Sequence, residues 1–213
     1  MNNPWSQIKL SDYENHMSLE SIYQLQTLNT MMKGQLSSYD TESVMILGIA
    51  GGNGLEHIDP QLHKKVYGVD VNKEYLDECS KRYPQLEKVL TLICAELSDE
   101  NTLLPHAELL IADLLIEYIG YDSFGRILKN VRPDTVSCII QINTDESFVS
   151  ASPYIHVFDC LESVHHNIDE NSLTECMIKN NYKKIFSAEN ILTDGKKLLR
   201  LDFAADIKKE AAD

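Results

Sequence analysis

Basic residues are scarce in this sequence. Its 213 residues hold 19 Lys and Arg against 33 Asp and Glu, a formal net charge of −14. DNA or structured RNA requires Lys and Arg to displace counterions from phosphates. No basic stripe exists here; Lys183-Lys184 and Lys196-Lys197 are isolated pairs. A DNA partner is therefore not expected, and the acidity is read as a source of solubility. Cysteine is also sparse, with Cys79, Cys94, Cys138, Cys160 and Cys176 forming no Cys-x-x-Cys spacing. A disulfide framework and a zinc site are not expected from an odd set so spaced. Cys94 and Cys138 fall in apolar runs and are expected to be small buried hydrophobes. A reducing cytoplasm is the expected compartment. No apolar run approaches the ~18 residues of a membrane span, so no membrane partner is expected. The opening Met-Asn-Asn-Pro-Trp lacks a basic segment followed by an apolar core, so no signal peptide is expected.

What is present is a concentrated glycine cluster. Ile46-Leu47-Gly48-Ile49-Ala50-Gly51-Gly52-Asn53-Gly54 carries four of the chain's nine glycines. An apolar run, Val44 to Ile49, enters the cluster and a helix-like segment leaves it near Leu55. That pattern predicts a buried strand, a tight turn and a helix N-terminus whose N–H groups attract an anion. A second apolar run, Lys65–Asp70, ends in a carboxylate. Glycine loop and carboxylate together are how an open α/β sheet holds a nucleoside.

Around this pair the rhythm is regular. Further strands are expected at Val89–Cys94, Leu109–Leu115 and Val136–Ile142, with helices at Lys73–Arg82 and Tyr121–Asn130 between them. Near-continuous apolar strands alternating with helices predict a mostly parallel sheet covered on both faces. A helix is expected over Glu170–Asn180, and Lys184–Leu192 with Lys197–Ala204 reads as a hairpin turned at Asp194-Gly195. Before the sheet, Leu19, Ile22, Leu25, Leu28, Met32 and Leu36 mark one face of a helix with Ser18 as N-cap. Residues 1–17 read as a polar lead-in, and residues 143–168 as a long irregular stretch holding three of the seven histidines. Such stretches are usually functional. The expected organisation is one α/β domain over 1–213: a helical lead-in or cap (1–40), a three-layer core of about seven strands (41–205), and a charged, frayed tail (206–213).

Two nucleotide classes lose ground on what the motif lacks. Gly52-Asn53-Gly54 opens a dinucleotide fingerprint, but position 57 is His, not Gly. No Gly-Lys-Ser/Thr triplet exists for a phosphate loop. The stretch instead resembles the first motif of the class I S-adenosylmethionine-dependent methyltransferases. Val66-Tyr67-Gly68-Val69-Asp70 resembles their second. The resemblance covers about residues 40–205 and includes the order of elements with the closing hairpin. It implies a Rossmann-like fold, S-adenosyl-L-methionine as cofactor, and methyl transfer to a small-molecule substrate, the lead-in resembling the cap of small-molecule members. Other readings stay open: a methyltransferase of a protein or RNA base, a non-catalytic nucleoside-binding protein, and last a nicotinamide oxidoreductase. No Asn/Asp-Pro-Pro-Tyr/Phe segment follows the fourth strand. A homodimer is compatible with the sequence, which carries no mark of one.

The resemblance implies that Asp70 holds the ribose hydroxyls, with Val71 beside it and Glu96 on the adenine side. Gly48, Ala50, Gly51, Gly52 and Gly54 are expected against the cofactor. Gly48 stands where the family usually has an acid, so another residue must bind the methionine amino group. Ala50 stands at the usual first glycine and fits if its φ is negative. Asp113, at the end of the fourth strand, lies at the topological switch point where open sheets bind ligands. Tyr118 or Glu117 could face the reactive end of the cofactor. Tyr13 and His16 of the lead-in are candidates to help at the methionine end. His165 and His166, on the loop over the substrate side, are candidate bases. A metal site built from these histidines is not expected.

Overall fold

The structure is a computed structural model that describes residues 3–143 and 147–206. A seven-stranded sheet has the order β3-β2-β1-β4-β5-β7-β6. Strands β1 (Ser43–Leu47), β2 (Lys65–Asp70), β3 (Leu90–Cys94), β4 (Leu109–Asp113) and β5 (Thr135–Ile142) run parallel. The chain then returns antiparallel through β7 (Lys197–Ala205) and β6 (Tyr182–Ile191). The Asp194-Gly195 turn closes that hairpin, the Leu192 N–H donating to the Lys196 carbonyl at 2.8 Å. The three-layer Rossmann-like architecture read from the sequence is present.

Strand burial explains the layers. In β1, Met45 and Leu47 pack on one face with Leu110, Phe124, Leu128, Cys138 and Phe203. That layer is built by α4 (Ile116–Val131) and α5 (Glu170–Lys179). Val44 and Ile46 pack on the other face with Met32, Leu36, Leu76 and Cys79, residues of α2 (Gln24–Ser37) and α3 (Lys73–Arg82). Because successive side chains alternate faces, a strand buried on both sides reads as a continuous apolar run. On the α2 face a polar seam is also buried. Asp202 takes Arg200 Nη2 at 2.5 Å, Ser137 Oγ at 2.5 Å and the Tyr39 hydroxyl at 2.6 Å.

Several expectations need correction. The lead-in is helical: α1 spans Leu10–Ser18, so Ser18 ends a helix rather than capping the next. The Leu19 carbonyl accepts both the Ile22 and Tyr23 N–H groups, at 2.9 and 2.7 Å, and Tyr23 turns to φ 58°. This tight corner delays α2 to Gln24. After the glycine cluster there is only a single 3-10 turn, Leu55–His57, not a helix. Pro60 follows closely, and the Gly54 N–H already donates to its neighbour Glu56 at 3.1 Å. A helix N-terminus free to bind an anion is therefore not built here. Strand β4 ends at Asp113 because Leu114 adopts φ 51°, and α4 starts at Ile116, five residues early, across a kink at Gly120. Residues 155–163 form a 3-10 helix. Cys94 is exposed on edge strand β3, whereas Cys138 is buried. The tail beyond Asp206 lies outside the described residues. Among the described residues no helix is long and apolar enough to cross a membrane.

Candidate active site

Two cavities meet over the carboxyl ends of β1, β2, β4 and β5. The first lies at the switch point between β1 and β4 and is walled by Gly48, Ala50, Asp70, Val71, Glu96 and Asp113. The second is larger, lies over β5 and the kinked start of α4 and includes His16, Glu117, Gln141, Phe148, His165 and His166. Trp5, Tyr13, Leu114 and Tyr118 belong to both and form the shared wall.

The first cavity is shaped by the β1 loop. Gly48 holds φ +69°, and a Cβ there would sit 3.0 Å from Leu115 Cδ1. A side chain at 48 would meet backbone strain and would press on the Leu115 side chain, so this position favours glycine over the acid of the family motif. Ala50 adopts φ +48°, not the negative value expected, a conformation that costs an L-residue roughly 1–2 kcal/mol. Its N–H donates to Asp70 Oδ2 at 2.9 Å, and the Asn72 N–H donates to Asp70 Oδ1 at 2.8 Å. Asp70 is thus fixed from both sides. Burial raises its pKa, and these N–H groups work against the rise.

Asp113 is held on one side only. Gln35 Nε2 of α2 donates to its Oδ1 at 2.8 Å, while Oδ2 is buried with no hydrogen-bond partner. Burial pushes the carboxyl up to about 7. Glu96 accepts from Asn3 Nδ2 at 2.6 Å and from Ser98 Oγ at 2.7 Å. The first of these bonds ties the lead-in across the cavity.

Gly51, Gly52 and Gly54 do not line either cavity, although the sequence placed them against a ligand. A Cβ at 51 would strike Glu14 and Arg82, one at 52 Tyr83 and Cys79, and one at 54 Met32. These glycines instead let α1, α2 and α3 close on the loop. Over Gly51, Arg82 makes a two-pronged ion pair with Glu14.

The second cavity is rich in rings. Trp5 meets Tyr13 at 5.9 Å and Tyr118 at 5.0 Å between centroids, both edge-on. Tyr118 meets His165 at 5.8 Å, and His165 stacks on Phe148 at 4.0 Å. Burial raises the Tyr13 and Tyr118 pKa values, so both phenols keep their protons. His16 is buried against Phe158, hydrogen-bonded to Ser152 Oγ at 2.7 Å, and burial lowers its pKa to about 4. It lines the second cavity alone, away from the first. His165 is lowered by burial too. The His166 N–H donates to the Glu117 carbonyl at 2.6 Å, and its ring packs against Gly120, whose φ of +71° makes the kink.

Glu117 carries a second orphan. The Gln141 N–H donates to its Oε1 at 3.0 Å, while Oε2 is buried and unpartnered. Burial raises this carboxyl to about 7. Gln24, Gln35, Gln141 and Phe148 were not candidates from the sequence. Their only signal was apolar patterning or none, because they meet the site from separate elements.

No protein-family model matches the sequence, and no curated protein matches it. Solved structures do match. Magnesium protoporphyrin IX methyltransferase of Synechocystis PCC 6803, with bound SAM, aligns with TM-score 0.67 at 9% identity, over 96% of this chain and 94% of that one. The N-methyltransferase NodS of Bradyrhizobium japonicum WM9, with S-adenosyl-L-homocysteine, aligns with TM-score 0.65 at 12% identity, over 92% and 97%. A Haemonchus contortus N-methyltransferase, bound to phosphomonomethylethanolamine and S-adenosylhomocysteine, aligns with TM-score 0.65 at 13% identity, over 92% of this chain and 56% of that one. With sheet order, closing hairpin and these alignments agreeing, the chain has the fold of the class I S-adenosylmethionine-dependent methyltransferases.

Proposed function

We propose that this chain is an S-adenosylmethionine-dependent methyltransferase acting on a small molecule, within one α/β domain. The observation that carries the reading is the pair of cavities with a common wall. One holds carboxylates at the switch point of the sheet, and the other is a ring-lined space over β5. The residues fit the cofactor on a feature of the structure itself. Asp113 keeps a buried, unpartnered Oδ2 in the wall of the first cavity, which a cationic ligand group would satisfy. In this reading Asp113 takes the part of the acid that position 48 lacks.

In this reading Asp70 accepts from the ribose hydroxyls, Val71 and Glu96 border the adenine, and Asp113 receives the amino group. Gly48 and Ala50 offer backbone at the loop. The bound cofactor supplies a methyl group activated on a sulfonium, ready for in-line displacement. The protein's share is alignment and dryness. Trp5, Tyr13 and Tyr118 form the wall where the two ligands meet and exclude water from it. Leu114 completes that wall through its left-handed backbone. His165 and His166 are candidates to take a proton from the acceptor, and Tyr118 orients it. His16, tied to Ser152, shapes the acceptor side.

A polymer substrate is a poorer match. The net charge is −14, and no Lys or Arg is among the described residues of either wall. Calorimetry with S-adenosylhomocysteine should find one site per chain. Asp70→Ala should weaken that binding by about 1.5–3 kcal/mol, as for a lost charged hydrogen-bond acceptor. An affinity equal to the wild type would refute the ribose role.

A further inference from the structure

We infer that the second cavity takes a compact amine in its ammonium form, with an apolar or aromatic body and no carboxylate or phosphate, seated on Glu117 within the belt of rings. The inference deepens the methyltransferase reading and rests on it for the identity of the reaction.

Three independent features converge. The first is the belt itself. Tyr13, Trp5, Tyr118, His165 and Phe148 touch ring to ring in unbroken succession, and Phe158 faces the same space against His16. Aromatic faces attract cations, most strongly where water is excluded. The second is Glu117, only 5% exposed, whose Oε2 has no partner. A buried acceptor left empty carries a desolvation penalty that a donor would remove. The third is the charge of the wall. Its described residues include Glu117 and Asp169 but no Lys or Arg. Lys196 is not among the lining residues and donates to the Ser147 carbonyl. An anionic acceptor would meet no Lys or Arg among the described residues of this wall.

The same arrangement handles the proton. An ammonium nitrogen has no lone pair for a methyl carbon, so one N–H bond must break first. The proton passes to Glu117 Oε2, forming the O–H bond, and the N–H electron pair stays on nitrogen as the nucleophilic lone pair. Glu117 later releases that proton to water. Oε1 meanwhile remains fixed by the Gln141 N–H, so the carboxyl does not swing away. No oxidant or further reactant is needed.

The test uses the full chain and reads binding as well as turnover. Trp5 is the single tryptophan and sits in the wall of both cavities, so its emission reports on either. The probes are 2-phenylethylamine, 2-phenylethanol and 3-phenylpropionate, titrated with S-adenosylhomocysteine present and absent. The amine should bind about tenfold or more tighter than the alcohol, with the carboxylate weakest. Glu117→Gln keeps an oxygen for the Gln141 N–H and should collapse the amine preference to within about threefold while leaving alcohol binding in place. Phe148→Leu should weaken the amine more than the alcohol. Equal binding of all three probes by the wild type overturns the inference, as does binding of none while S-adenosylhomocysteine binds. A preference undiminished in a folded Glu117→Gln overturns the role of Glu117. Amine selectivity in a chain that ignores S-adenosylhomocysteine supports the amine site and contradicts the methyltransferase reading.

Discussion

Single residues decide what this site can hold. Position 48 shows it most clearly, because its left-handed backbone favours glycine and its Cβ position lies against Leu115. Replacing Gly48 with Asp should not strengthen cofactor binding. It should destabilise the fold by roughly 1–2 kcal/mol, from the left-handed backbone alone, and the contact with Leu115 adds to this. Melting the variant beside the wild type checks the loss; a variant as stable as the wild type would remove the steric account. Glu117 offers a pH test. Burial raises its pKa from 4.5 to about 7, so between these pH values the folded state without ligand holds a proton that the unfolded state has released. Stability from this group is therefore full below about 4.5 and lost as pH rises through about 7. Relative to Glu117→Gln, the wild type should lose roughly 2–3 kcal/mol between pH 4.5 and 8. Parallel stability curves for the two proteins would contradict the assigned burial. The place of Asp70 in the wall of the first cavity was legible from its position at the end of an apolar run. The orphan oxygens of Asp113 and Glu117 were not, since an unfilled acceptor is defined by its neighbours in space.

At the scale of elements, the strands were legible because parallel strands buried on two faces are written as apolar runs. The lead-in was not. Only His16 and Met17 are buried in α1, too few to stamp a period on the sequence. Its docking is instead specific: Asn72 Nδ2 donates to the Trp5 carbonyl at 3.0 Å, the Tyr75 hydroxyl to the Ile8 carbonyl at 2.8 Å, and Arg82 pairs with Glu14. Arg82→Ala should cost little global stability, about 1 kcal/mol or less for a pair this exposed. It should nonetheless speed hydrogen exchange in α1 selectively, and uniform exchange rates would show that the lead-in is not held there. The α4 kink is another local device. Its glycine turns the chain at φ +71° where the His166 ring approaches. Gly120→Ala should lower stability by roughly 1–2 kcal/mol and alter Trp5 emission through Tyr118. Thermal melts followed by fluorescence would detect both, and an unchanged spectrum would separate the kink from the belt of rings. The glycine cluster taught the opposite lesson. It marked the right loop, but three of its glycines serve helix packing, and Pro60 cut short the helix expected after it.

Over the whole molecule, chemistry is divided by position in the sheet. Carboxylates gather at the ends of β2 and β4, rings gather over β5, and the lead-in crosses both cavities through Trp5 and Tyr13. The chain's acidity, read from composition as solubility, continues into the cavity walls. In the proposed reading this disfavours an anionic acceptor. The second cavity could not be read from sequence because α1, α4, β5 and the 155–163 segment contribute to it from distant positions. The account rests on the first cavity holding S-adenosylmethionine. The most direct measurement is a calorimetric titration of the folded chain with S-adenosylhomocysteine, monitored in parallel by Trp5 emission. The account predicts one site per chain, a change in Trp5 emission that saturates with the heat, and weaker binding in both Asp70→Ala and Asp113→Asn. Absence of heat and of any emission change in protein shown to be folded would contradict it.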